Sequence, residues 1–405
     1  MTVSPLLRPT LWAAAMLTSQ LHAATFADDV AFLKQHTPVV VLQDSAGQAQ
    51  VAVVPAWQGR VMTSTGGGGS GASHGWINRD LIIAGKVQPH INVFGGEDRF
   101  WLGPEGGQFS IFFAPGAKFD LEHWQTPAAI DTDPYAIVSQ TADRVVFRRD
   151  LALTNYSGTR FQVEATREVR LVTPAAALAS RRLTVPAGLR TVAFESVNTI
   201  RNTGRDPWRK DSGLLSIWIL GMFNASPAAT VVVPYRAGPE ATLGPVVNDS
   251  YFGKVPADRL VVKDGVVYFR ADSNYRSKIG FSPRRAESWL GSYDATGKTL
   301  TLVQFTRPAD ARDYVNSMWE LQKEPFAGDV INSYNDGPPQ PGAAQMGKFF
   351  ELESSSPALA LAPGASATHT HTTIHFQGNE ADLDALSRAA LGVSLKQITS
   401  AFRTN

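Results

Sequence analysis

The residues whose types and spacing suit chemistry best lie between Gly95 and Gly107, GGEDRFWLGPEGG, where four charged side chains and Trp101 stand among repeated glycines. Glu97, Arg99 and Glu105 supply acceptors and donors, and glycines let a backbone approach a ligand closely. Just upstream, His90 and Asn92 add an imidazole and an amide. The same composition would also serve a surface hairpin with solvated charges and one packed indole. Further along, Glu351 and Glu353 stand two residues apart, so on a strand both project to one face. Either could act as a base, and spacing does not choose between them. Set against Glu97 or Glu105, such a carboxylate forms an acid–base pair if one of the two is held protonated and the other ionised.

Two further clusters carry polar ligands. The segment Asn332 to Gln340, NSYNDGPPQ, reads as a turn, with Asn335-Asp336-Gly337 suited to positive φ. The oxygens of Asn335 and Asp336 would suit a polar ligand or a Ca²⁺ ion, although no cofactor is expected. In THTHTTIHF, Thr368 to Phe376, alternation puts His369, His371 and His375 on one strand face. The outer two are then roughly 20 Å apart, too far for one ion, so this face reads as an exposed polar surface rather than a metal site. The glycine run from Gly66 to Gly69 lacks the Gly-Lys-Ser/Thr ending of a phosphate loop and reads as a flexible loop.

What must position these groups is mostly β-structure. Runs rich in Val, Ile, Phe and Thr, separated by Gly, Pro, Asn and Asp, predict strands at Val39 to Leu42, Gln50 to Val54, Arg60 to Thr65, Arg144 to Phe147, Phe161 to Leu171 and Thr191 to Ile200. Leu260 to Phe269, Thr299 to Phe305, Phe349 to Glu353 and His369 to Phe376 follow the same pattern. Helices are expected at Phe26 to Gln35, at Asp313 to Leu321, and at the end of the chain, where Asn379 can cap a helix with Leu383, Leu386 and Ala390 on one face. Many strands and few helices predict an all-β sandwich built as one domain over residues 24–405.

Composition closes other routes. The chain has no cysteine, which excludes disulfides, thiolate metal sites and cysteine nucleophiles. With 37 basic against 36 acidic residues, it lacks the surplus that a nucleic-acid groove needs. Residues 1 to 23 carry one charge, Arg8, then the apolar stretch from Leu11 to Leu17 and a small-residue boundary at Ala23, the order of a cleaved secretory signal. The mature chain is therefore expected in the periplasm or outside the cell, without a membrane span.

The Gly95 to Gly107 stretch, the Asn202 to Gly204 turn and the late strand FFELESSSP, Phe349 to Pro357, together resemble the galactose mutarotase-like superfamily. With YVNSMWE at Tyr314 to Glu320, DVINSYNDGP at Asp329 to Pro338 and the Leu361 to Gly364 run, the chain looks more closely like a group of secreted bacterial proteins of unassigned function within it. The resemblance implies a β-supersandwich of two large antiparallel sheets with a carbohydrate cleft on a concave face. It implies aldose 1-epimerase-like acid–base chemistry, in which a mid-chain His donates a proton and a late-strand Glu accepts one. Glu351 or Glu353 matches the base, with Arg99 or His90 as partner, and Asn92, Glu97, Trp101, Glu105, Asn335 and Asp336 as sugar contacts. The acid has no match, since residues 124 to 368 contain no histidine, and Phe94 stands where the family carries its early His. Two other readings stay open: a non-catalytic carbohydrate-binding domain, and a polysaccharide lyase or glycosidase using Tyr251, Tyr275 or Tyr334 with Arg99.

Overall fold

The computed structural model describes residues 24–403; the expected signal segment, 1 to 23, lies outside the described residues. Its centre is the strand Ser366–Gln377, flanked by Arg190–Asn202 on one side and Thr299–Phe305 on the other, both antiparallel. Pairing continues outward into a ten-stranded sheet with Leu260–Lys263 at one edge and Ala136–Gln140 at the other. A five-stranded sheet lies against it, in the order Ser277–Phe281, Ile331–Asn335, Phe349–Ser355, Ser216–Asn224 and Arg99–Gly103. Val40–Gln43, Gln50–Val54 and Arg60–Thr65 make a third, smaller sheet.

Strand alternation divides each sheet into two environments. Phe100, Ile217, Ile219 and Leu352 of the five-stranded sheet turn inward and join Val163, Ile200 and Val303 of the large sheet in the sandwich core. Burying each such side chain contributes about 1.5–3 kcal/mol. The other face of the large sheet carries Ala193, Leu302 and Ile374, which Leu383, Leu386 and Ala390 of the helix Glu380–Leu391 cover. Asn379 caps that helix by accepting from the Asp382 backbone N–H, as expected. The first helix, Phe26–His36, is closed by a reciprocal capping box between Thr25 and Asp28.

Five expectations need correction. The run Leu260 to Phe269 is two strands, because Asp264 and Gly265 both take positive φ, 58° and 78°, and Lys263 pairs with Val266. That is the two-residue hairpin turn that Asp-Gly favours. Asp313 to Leu321 forms no helix: Tyr314 N donates to Phe326 O and Asn316 N to Pro325 O, so the backbone is spent on an extended pairing. Within Asn332 to Gln340, the first residues complete the strand Ile331–Asn335, and Gly337 is required by close packing, since a Cβ there would lie 2.5 Å from the Arg276 nitrogen. Finally, His369, His371 and His375 are not exposed; all three point into the sandwich and are at most 1% accessible. Gly66, in the run read as a flexible loop, packs on the backbone of Thr191, where a Cβ would come within 2.5 Å.

Candidate functional site

The outer face of the five-stranded sheet is the floor of a cleft of about 430 Å³. Residues two apart reach it together: Arg99 and Trp101; Trp218, Leu220 and Met222; Phe349 and Glu351; with Lys278 and Tyr334 from the remaining strands. Register fixes their neighbours, Glu351 lying between Met222 and Tyr334, with Lys278 beyond Tyr334. The loops carrying His90, Glu105, Trp124, Phe252, Trp319, Asp336 and Met346 form the walls.

Arg99 and Glu351 meet at 3.0 Å through Nη2 and Oε1, with both side chains almost fully buried. The guanidinium also lies over the Trp101 ring, 4.1 Å from its centroid, an arrangement that holds its plane. Nε and Nη1 of Arg99 have no hydrogen-bond partner among the described residues, and neither has the indole N–H of Trp101 or of Trp124. Burial pushes the Glu351 carboxyl well above the usual range; Arg99 pulls it down and Glu353 pushes it further up.

Glu353 lies deeper. Its Oε2 accepts from Trp218 Nε1 at 2.9 Å and from Lys278 Nζ at 3.1 Å. Burial opposes the Lys278 ammonium, but Glu353, Glu105 and Glu351 outweigh it and hold its pKa above the ordinary value. Glu105 is raised by burial against the pull of Lys278. Near the opposite edge of the sheet, the Tyr334 hydroxyl donates to Asp336 Oδ1 at 2.7 Å and accepts from Arg276 Nε at 3.3 Å, while Arg276 stacks on Phe252 at 3.9 Å. Burial raises Asp336, and the Tyr334 and Gly347 hydrogen bonds work against it.

The structure thus brings Glu351, Arg99, His90, Trp101, Glu105 and Asp336 to one cleft. His90 reaches it from a loop, with Nδ1 2.7 Å from Trp124 O. Glu353 shares the face of Glu351 but is covered by Trp218 and Lys278. Three other expected contacts lie elsewhere. Asn92 is tied to Asp131 through its backbone N–H and its amide, at 3.0 and 2.8 Å, and shapes the loop instead. Asn335 faces the protein, accepting from Ser273 N and donating to Tyr275 O. Glu97 is inside the sandwich, between Ser64 and His375. Sequence reasoning missed Lys278, Arg276 and Phe252. A signal for Lys278 existed, because in Ser277-Lys278-Ile279-Gly280-Phe281 the lysine alternates with two core apolar residues. Among the described residues, no group of three or more His, Asp or Glu is placed to hold a metal ion.

Comparison with known proteins places the chain in a family. Residues 24–402 match the family of unknown function DUF6786, and the chain belongs to it. No curated protein matches the sequence. Among solved structures, the Slr1438 protein of Synechocystis sp. PCC 6803 is similar at a TM-score of 0.50 and 13% identity, over 84% of this chain and 96% of that one. A galactose mutarotase-like protein from Lactobacillus casei ATCC 334 is similar at 0.46 and 10%, over 84% and 100%. The fold is an all-β sandwich of antiparallel sheets with few short helices, as the sequence led us to expect, and it is shared with the Slr1438 protein.

Proposed function

We propose that the cleft binds a sugar or sugar derivative and that Glu351 exchanges a proton with it in epimerase-like chemistry. The observation that carries this reading is a buried carboxyl, raised by its surroundings, facing a cleft beside a fixed guanidinium and an indole. A sugar presents an apolar C–H face and a ring of hydroxyls. Trp101, Trp124 and Trp319 supply flat apolar surface for the first, and Arg99, Glu105 and Asp336 supply partners for the second. Opening a pyranose ring requires one group to take the anomeric proton and another to protonate the ring oxygen. Glu351 is suited to the first task in its ionised fraction, since a raised pKa makes that carboxylate a stronger base than an ordinary one. His90, on the cleft wall, is the partner that takes the place of the absent mid-chain histidine. The leader-like residues 1 to 23 support action in the periplasm or outside the cell.

The test is Glu351→Gln, with anomer interconversion followed by polarimetry or NMR and binding followed by calorimetry across a panel of sugars. Turnover should drop about 10²-fold or more while binding persists. Wild-type binding without any turnover would make the protein a carbohydrate-binding module. No binding to any sugar would overturn the reading altogether.

A further inference from the structure

Arg99 presents an imbalance that the proton chemistry of Glu351 does not use. A guanidinium has five N–H donors, and buried donors are nearly always met. Arg99 is 2% exposed, yet it gives one nitrogen to Glu351 and leaves Nε and Nη1 without partners, on a side chain that lines the cleft. Its stacking on Trp101 fixes the plane, so the donors are already oriented before a ligand arrives. Arg276 and Lys278 line the same cleft, giving three cations around one cavity.

We propose that the preferred ligand is an acidic sugar, whose anionic group takes the unmet donors of Arg99 with Arg276 or Lys278 completing the charge. This rests on the sugar-binding reading and names its substrate class. The carboxyls that share the cleft do not oppose it strongly: burial pushes Glu351 well above the ordinary range, and Asp336 already accepts from the Tyr334 hydroxyl and the Gly347 N–H. A charge-assisted, planar contact to a carboxylate or phosphate is what an arginine of this geometry recognises.

The full-length chain, purified as it matures, is titrated by calorimetry with matched neutral and acidic sugars: galactose with galacturonate, glucose with glucuronate, and the 6-phosphates of both. The expected result is binding of an acidic member about tenfold or more tighter than its neutral counterpart, with an affinity that falls as salt is raised. Tighter binding of the uronates identifies a carboxylate ligand, and tighter binding of the 6-phosphates a phosphoryl one. Arg99→Lys should remove most of the preference. Because that variant disturbs a buried pair, Arg276→Gln, at a half-buried position, serves as a second variant and should reduce the preference without abolishing neutral-sugar binding. Equal affinity for acidic and neutral sugars overturns the inference and leaves the sugar cleft intact; failure of every sugar to bind overturns both.

Discussion

Two buried charge clusters sit back to back in this fold, separated by one sheet. On the outer face, Arg99, Glu351, Lys278 and Glu353 line or underlie the cleft. On the inner side, Asp98, Arg167, Glu97 and His375 lie between the sheets, where all four are at most 1% exposed. Arg167 donates to Asn198 Oδ1 at 2.6 Å, to Asp98 Oδ1 at 2.5 Å and to the carbonyl of Gly59 at 3.0 Å, so each of its nitrogens is met. Arg99 leaves two of its three nitrogens unmet and lines the cleft. Burial and perturbed ionisation are common to both clusters; access and unspent donors belong to the cleft. The inner cluster clamps the start of the strand Arg99–Gly103 to the large sheet through Asp98, and so sets the direction in which Arg99 points.

The contrast breaks most violently at Arg167. Arg167→Met leaves Asp98 buried without its cation and should lower stability by about 3–5 kcal/mol, read by urea denaturation. A cost near zero would mean that the inner pair is no clamp. The next effect concerns pH. Burial pushes Glu97 up to about 7, with His74 and Ser64 pulling it down, against an ordinary value near 4.5. The folded state therefore holds a proton that the unfolded chain has released, and stability that Glu97 contributes below pH 4.5 is lost as pH rises through 7. Glu97→Gln removes that dependence, so its stability relative to wild type should improve by about 3 kcal/mol between pH 4.5 and 8. Denaturation curves that stay parallel across this range would place the proton elsewhere.

Much of the fold was legible because sheet alternation depends on local sequence. The strands Gln50–Val54, Arg60–Thr65 and Thr299–Phe305 and the Asn379 cap fall where residue pattern puts them. The Asp264-Gly265 turn was equally local and was overlooked inside a long apolar run. What no local pattern reveals is which of two faces is wet. His369 and His371 look like surface residues by type, yet Ser354 from the opposing sheet meets one ring nitrogen of each at 2.8 Å, a pairing 15 and 17 residues away in sequence and across the sandwich in space. The same limit applies within GGEDRFWLGPEGG, where Glu97 enters the interior and Glu105 the cleft. Glu351 and Glu353 share a face as their spacing implies, but only the register with Trp218 and Lys278 decides that Glu353 is covered.

The smallest effect sharpens the comparison from the cleft side. Phe252 is 40% exposed, carries the Arg276 guanidinium on its ring at 3.9 Å and belongs to the cleft wall. Such a contact at an exposed position is worth about 0.5–1 kcal/mol, and an exposed ring contributes little to the core. Phe252→Ala should therefore leave the unfolding midpoint within the error of the measurement while weakening sugar binding roughly threefold, by freeing Arg276 from one orientation. An inner-cluster residue behaves in the opposite way, since its loss is felt first in stability. If Phe252→Ala destabilised the protein as much as a core deletion, or left ligand affinity untouched, the division between a structural cluster and a functional one would not lie along this sheet.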